Sequence, residues 1–291
     1  MSKYVPDIST RRWVIISSQR LGRPDDHNGD TTKPPCPFCE GHEHLTPPEE
    51  LRSGGGEANK KGWKVRVVSN KFAITDTHEV IIHSPNHDKD IDALPLDHVV
   101  LILSTYKQRY NLHKKKGQVL IFCNHGEHAG ASLIHPHSQL VVIPGQINLE
   151  TLEREPLNNM IETSKLFNVY CPDFSQWPYE IWITPKKESV VFGDITEEEI
   201  KELAETMQQM IKKLLHIYTS QRIPTHRFGF NYYIYHKENW YLRIIPRFVN
   251  RAGFELGTGL YVNIVDPVEA ALELKGVEKK MIGVLKKLKK Y

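Results

Sequence analysis

Short β-branched runs alternate along this chain with two amphipathic stretches, in an order that repeats. "RRWVIISSQRLGRP" reads as a strand from Trp13 to Ser17 closed by a basic turn. "KVRVVSNKF", "HEVIIHSP", "QVLIFCNHG" and "SLIHPHSQLVVIP" are further strand-like runs bounded by turn-forming residues. Between the second and third of these, "PLDHVVLILSTYKQRYNLH" sets Val100, Leu103, Tyr106 and Tyr110 at helical spacing. The second half answers in the same order, with "PYEIWITPKKE" standing where "HEVIIHSPNHD" stood. There "DITEEEIKELAETMQQMIKKLLHIY" predicts a long helix opened by Thr196 and the acidic Glu197 to Glu199, and "HRFGFNYYIYH" and "WYLRIIPRF" close the series as strands. The pattern predicts an α+β fold: a mostly antiparallel sheet with helices packed on it, made of two repeated halves, residues 1–150 and 151–291. The join is expected near residues 145 to 165, with one sheet continuous across it.

Two stretches depart from this rhythm. "TTKPPCPFCEGHEHLTPPEELRSGGGEANKKG" is too rich in Pro and Gly for regular structure, so something other than an apolar core must hold it. The C-terminal "VEKKMIGVLKKLKKY" predicts a basic helix whose lysines form a solvated face. Bulk composition then narrows the function. Within 291 residues, 38 basic against 35 acidic side chains leave +3, too small a surplus to imply nucleic-acid or membrane binding by charge alone. No apolar run approaches the roughly 18 residues of a membrane span, and "MSKYVPDIST" lacks the apolar core of a secretory signal, so a cytoplasmic protein is expected. Four cysteines are too few for a disulfide framework in a chain of this length.

Two of those cysteines, Cys36 and Cys39, have the C-x-x-C spacing that lets two thiolates share one tetrahedral metal. A redox pair would need the second cysteine to open a helix, and Gly41, Pro47 and Pro48 follow instead. Two further ligands are required. His87 and His135, each beside the end of a core strand, compete with His42 and His44, which could close the site locally; spacing does not choose between them.

The segment "GASLIHPHSQLVVIP" concentrates the remaining chemistry. Pro136 pushes its predecessor towards an extended conformation, so His135 and His137 are expected on extended backbone, sharing a face. With His135 on a metal, the uncoordinated His137 can serve as a nucleophile towards phosphorus, because histidine forms a labile phosphoramidate. Gln139 follows on the same face, where its NH₂ can donate to nonbridging phosphate oxygens without protonating the nucleophile.

"HPHSQ" preceded by "FCNHGEHAGAS", "CPFC" followed by "TPPE", "NKF", "HEVIIHSPNHD" and "WVIISSQRLGRP" together resemble the galactose-1-phosphate uridylyltransferases of the histidine-triad superfamily. The likeness runs in order from about residue 10 to about 265. It implies two histidine-triad-like halves, the first with the metal site and nucleophile and the second degenerate, carrying substrate-side loops. It implies a structural zinc on Cys36, Cys39, His87 and His135, and a nucleophile at His137 that passes a nucleotidyl group from a nucleotide sugar to a sugar 1-phosphate. Gln139, Ser132 and Asn124 match residues that bind phosphate oxygens or support the loop; Asn70 and Phe72 match the nucleoside site. Arg20 and Arg23 match basic residues that reach into a neighbouring subunit, so a homodimer with shared sites is implied.

Departures from the family pattern matter too. Some members bind a further metal in the second half through a histidine pair, and Tyr241 and Arg243 stand in those positions here, so no second metal is expected, with His236 and Glu180 as remnants. "FELGTG", residues 254 to 259, falls on the substrate-side loop. The reading is a UDP-glucose–hexose-1-phosphate uridylyltransferase working by double displacement. The alternatives are an adenylyl-transferring relative using ADP-glucose or adenylylsulfate, or a zinc-stabilised nucleotide-binding module without turnover.

Overall fold

A computed structural model describes residues 2–7, 12–22, 35–149, 157–220, 228–278 and 281–282. The strands β1 (Lys3–Asp7) and β2 (Arg12–Ile16) pair as a separate antiparallel ribbon. The first half then runs β3 (Glu49–Gly54), β4 (Trp63–Ser69), β5 (Thr77–Ile82), helix α1 (Leu96–His113), β6 (Gln118–His125) and β7 (His137–Ile143). The second runs β8 (Met160–Thr163), β9 (Phe167–Tyr170), β10 (Ile181–Pro185), helix α2 (Glu197–Ser220), β11 (Phe230–Ile234) and β12 (Leu242–Pro246), followed by short helices α3 (Gly253–Thr258) and α4 (Pro267–Leu274).

All ten strands from β3 to β12 lie in one sheet, in the order β3-β4-β5-β7-β6-β11-β12-β10-β9-β8, and every neighbouring pair is antiparallel. Each half therefore has the same strand order, and the halves meet edge to edge at β6 and β11. The chain itself crosses between halves from β7, inside the sheet, to β8 at its far edge.

Period-two alternation decides what each face of this sheet carries. Val119, Ile121 and Cys123 of β6, Leu140 and Val142 of β7, Tyr232 and Ile234 of β11, and Leu242 and Ile244 of β12 point to one side, where α1 and α2 pack on them in the main core. The intervening residues, His137, Gln139, Phe122, Asn124, Asn231, Tyr233 and Arg243, belong to the opposite, helix-free face. Helix α1 buries Leu103, Tyr106 and Tyr110, as its spacing predicts, while the fourth residue of that set, Val100, is only half-buried against the core. At the start of α2, Thr196 Oγ1 accepts from Glu199 N at 3.2 Å and Glu199 Oε2 accepts from Thr196 N at 2.7 Å, a reciprocal cap that satisfies two otherwise orphaned donors. Among the described residues no helix is long and apolar enough to cross a membrane.

One expectation fails in the Pro- and Gly-rich stretch, which contains a regular strand, β3. Its cohesion comes from ion pairs rather than apolar alternation: Glu49 bonds Arg52 at 2.7 Å and the buried Arg66 of β4 at 3.1 Å. Bulges at both ends and an edge position further blur its sequence signature. The expected C-terminal helix lies almost wholly outside the described residues.

Candidate functional site

The loop that precedes β3 turns Cys36 and Cys39 towards two histidines from distant parts of the chain. Cys39 Sγ lies 3.3 Å from His87 Nδ1 and 3.6 Å from His135 Nδ1, and Cys36 Sγ lies 3.7 Å from His135 Nδ1. All four ligand atoms fall within 4.8 Å of one another. A tetrahedral ion with metal–sulfur bonds of about 2.3 Å and metal–nitrogen bonds of about 2.0 Å would set sulfur and nitrogen about 3.5 Å apart, so the donor set fits one metal. His135 Nε2–H donates to the Ser84 carbonyl at 2.8 Å, which leaves the lone pair on Nδ1, facing the thiols. Burial pushes the Cys36 thiol up to about 12 and His135 down to about 4, so a bound cation is what would let thiolates persist here. His42, the local competitor, instead braces the loop through its Nδ1, 2.8 Å from the Cys36 carbonyl.

His137 opens β7. Its Nδ1–H donates to the His135 carbonyl at 2.8 Å; a carbonyl only accepts, so the tautomer puts the lone pair on Nε2. The expectation of two extended histidines on a shared face needs correction: residues 132–135 form a bend, and the strand begins only at His137. The two rings hydrogen-bond to different partners although Phe38 packs edge-on against both, and it is the peptide carbonyl of His135, not its metal-facing ring, that orients His137. Phe38, set between the two cysteines, packs edge-on against the His137 ring at 5.1 Å.

His137 lines a narrow slot of about 90 Å³ together with Gln139, Ser132, Asn70, Phe72 and Arg20. Gln139 is fixed by a residue for which the sequence raises no expectation, His78. Ile74 N–H donates to His78 Nδ1 at 2.9 Å, so His78 Nε2–H donates to Gln139 Oε1 at 2.9 Å. With its oxygen engaged, Gln139 has its NH₂ left to donate, and its side chain lines the slot. Asn70 forms a turn in which its Oδ1 accepts from Phe72 N at 2.8 Å. Arg20 donates to the Phe72 carbonyl at 3.0 Å, so in this chain it lies at its own slot. Asn124, next to the slot on the same open face of the neighbouring strand β6, accepts from Asn231 at 2.8 Å and lines a second cavity. Arg23 lies outside the described residues.

Beneath β7, on the helix side, sits an ionic network that the sequence pattern does not reveal. Asp90 accepts from His83 Nδ1 at 2.9 Å and His125 Nδ1 at 2.7 Å. Burial raises its pKa, but the His125 and His83 hydrogen bonds outweigh that and hold the carboxyl far below the usual range. For His125, burial lowers the pKa and Asp90 more than reverses it. The network reaches the nucleophile's segment through His83 N, which donates to the Pro136 carbonyl at 3.2 Å. His78, His83 and His125 all stand within strand motifs, yet periodicity reveals a face and not a partner; Asp90, in a loop, leaves no signal.

In the second half, Glu180 is fully buried and its oxygens are engaged. Oε1 accepts from Arg243 Nε at 2.7 Å and Trp182 Nε1 at 2.8 Å, and Oε2 from Arg243 Nη2 at 2.8 Å and Gln176 N at 3.0 Å. Tyr241 stacks between Trp182 at 3.9 Å and Tyr235 at 4.9 Å. His236 is buried against Tyr235.

Comparison with known proteins adds four findings. The family model for the galactose-1-phosphate uridyl transferase N-terminal domain matches residues 73–142. The chain is 29% identical over 336 residues to ADP-glucose phosphorylase from Arabidopsis thaliana, covering 93% of this chain and 92% of that protein. It is 25% identical over 316 residues to galactose-1-phosphate uridylyltransferase from Thermotoga maritima, covering 92% and 96%. Among solved structures, that of the Arabidopsis ADP-glucose phosphorylase with bound ADP-glucose superposes with a TM-score of 0.71 at 26% identity, covering 96% of this chain and all of that one.

Proposed function

The chain belongs to the galactose-1-phosphate uridylyltransferase family, and from that premise we propose that it transfers a nucleotidyl group by double displacement through His137. The observation that carries this reading is the His137 Nδ1–H bond to the His135 carbonyl, which fixes the tautomer with its lone pair on Nε2. Nε2 attacks the α-phosphorus of a nucleoside diphosphate sugar. The phosphorus–oxygen bond to the sugar 1-phosphate breaks, and its electron pair leaves on that oxygen. An oxygen of the acceptor phosphate then attacks the same phosphorus, the phosphorus–nitrogen bond breaks, and the imidazole regains its lone pair.

Gln139, held by His78, donates its NH₂ to the nonbridging oxygens as charge gathers on them. Ser132, Asn124 and Arg20, with Arg23, bind or frame the phosphates, and Asn70 and Phe72 hold the nucleoside. Cys36, Cys39, His87 and His135 would hold zinc, which would tie down the loop behind the nucleophile. The first half, 1–150, thus supplies the chemistry, and the second, 151–291, supplies substrate-side loops. Phe254, Leu256, Leu260, Val262 and Ile264 are exposed along one short stretch, which supports a homodimer contact there. Unpaired cysteines and nucleotide-sugar substrates fit a cytoplasmic enzyme.

Two donors share this chemistry. ADP-glucose, with phosphate as acceptor, is favoured by the greater identity to the Arabidopsis enzyme; UDP-glucose, with a hexose 1-phosphate as acceptor, is supported by the Thermotoga one. Exchange of label between each nucleotide sugar and glucose 1-phosphate tests both. The expected result is exchange with one donor in the absence of any other acceptor. Binding without exchange for both donors would leave only a nucleotide-binding module.

A further inference from the structure

We propose that Asp90 is a positioning residue for the nucleophile, acting through His83 on the peptide carbonyls that set His137. The inference rests on the assignment of His137 as the nucleophile. Pro136 has no N–H, so the backbone between the two histidines is held through its carbonyls. All three are taken. His137 Nδ1–H donates to the carbonyl of His135 at 2.8 Å, the His83 amide to that of Pro136 at 3.2 Å, and the Cys123 thiol to that of His137 itself at 3.3 Å.

His83 and Cys123 belong to one buried cluster on the helix side of the sheet. His83 is fully buried and its remaining polar atoms are engaged as well: Nδ1–H donates to Asp90 Oδ1 at 2.9 Å, Nε2 lies 3.1 Å from the Tyr106 hydroxyl, and the carbonyl accepts from His98 Nε2 at 2.8 Å. The Tyr106 hydroxyl meets that of Tyr232 at 2.6 Å, and Tyr232 stands opposite Cys123 in the pairing of β11 with β6, its hydroxyl against the thiol. Asp90 anchors the cluster, taking His125 Nδ1 on its other oxygen at 2.7 Å and the Ile91 amide at 2.8 Å. A buried ionic cluster adds little net stability over well-packed apolar side chains. What it supplies is direction, since the hydrogen bonds leave the His83 ring one orientation. Fixing the ring fixes residue 83, and with it the amide that holds Pro136. The His137 tautomer depends on its bond to the His135 carbonyl, one peptide away. Slack at Pro136 therefore admits the Nε2–H form, which has no lone pair on Nε2 for phosphorus.

The test compares Asp90→Asn and Tyr106→Phe with Leu214→Ala, a truncation in the core of α2 that lowers stability but removes none of these hydrogen bonds. Histidine side-chain nitrogen NMR spectra of the full chain, with His137 assigned from the signals lost in His137→Ala, read its tautomer with no substrate present. The Nδ1–H form should dominate in the unaltered chain and in Leu214→Ala, and the Nε2–H form should gain in Asp90→Asn and, less, in Tyr106→Phe. The rate of His137 nucleotidylation at saturating donor should fall at least about tenfold in Asp90→Asn and about threefold in Tyr106→Phe, with donor affinity unchanged, because a slightly misplaced reacting group is costly. Tyr106→Phe loses only a hydroxyl, so it keeps the test valid if Asp90→Asn fails to fold. An unshifted tautomer in both variants, a loss confined to donor affinity, or an equal loss of rate in Leu214→Ala would overturn the proposal. A shifted tautomer with no adduct in the unaltered chain would support the positioning and count against nucleotidyl transfer.

Discussion

β7 and β12 hold matching places in the two halves, each flanked by the strand before its half's long helix, yet their open-face side chains differ in kind. In the register of the sheet, Gln139 lies opposite Val80 of β5, and Arg243 lies opposite Trp182 of β10. The first half keeps neutral, orientable groups there: a histidine fixed by a carbonyl and a glutamine fixed by another histidine. The second half places a guanidinium and ties it to a buried carboxylate. A lone pair directed into a slot can react, whereas an ion pair closed on itself can only brace or attract. The same topology thus carries a carbonyl-oriented histidine beside a glutamine in one half and a buried ion pair in the other, and a few side chains make the difference.

The comparison can be broken from either side. The largest effect is expected from His137→Ala, which should lower nucleotidyl transfer by at least about a thousandfold while leaving the chain folded with its metal content unchanged, because the ring is not among the cluster that could hold the ion. Next comes the metal cluster. Cys39→Ser should abolish the one-per-chain metal content measured by elemental analysis and destabilise the first half by several kcal/mol, since metal affinity is coupled to folding.

In the second half, Glu180→Gln leaves the Arg243 guanidinium buried without its counter-charge. A cost of about 3–5 kcal/mol is expected in denaturant unfolding, with metal content unchanged. A smaller effect separates positioning from reaction: His78→Phe should reduce kcat by roughly 10–100-fold without changing metal content, because Gln139 then loses the donor that turns its NH₂ to the slot. Normal kcat in that variant would remove His78 from the account.

The smallest effect concerns pH. The folded pKa of His125 is raised above its unfolded value of about 6.5, so its stabilising contribution is fully present below that pH and is lost as pH rises through the folded pKa. The stability gap between the unaltered chain and His125→Asn, measured by urea unfolding, should therefore shrink as pH is raised from about 6 upward. A gap that widens would contradict the Asp90–His125 pairing.

Much of this contrast is legible in the residue pattern alone. The β-branched runs and the Thr196 cap mark most strands and α2, because local chemistry determines them. Cys36 and Cys39 announce a shared ion, but the choice of His87 and His135 over His42 needs either the family likeness or the fold, since the ligands come from segments far apart. β3 stays hidden because Glu49, Arg52 and Arg66 stabilise it through charge rather than alternation. The bend before His137 leaves no clear signal because a proline restricts its predecessor without dictating the four residues around it. His78 and Asp90 act only through partners brought close by the sheet, and a linear pattern records no such partner. Arg243 reads as a poor metal ligand, but its pairing with Glu180 emerges only in three dimensions.

The central claim is that His137 Nε2 takes up the nucleotidyl group. Intact-mass analysis of the full chain after incubation with ADP-glucose or UDP-glucose alone tests it most directly. One nucleoside monophosphate should add to each chain with the donor the enzyme uses, vanish on adding the acceptor, and be absent from His137→Ala. An adduct that survives in that variant, or none under conditions where product forms, would contradict the claim.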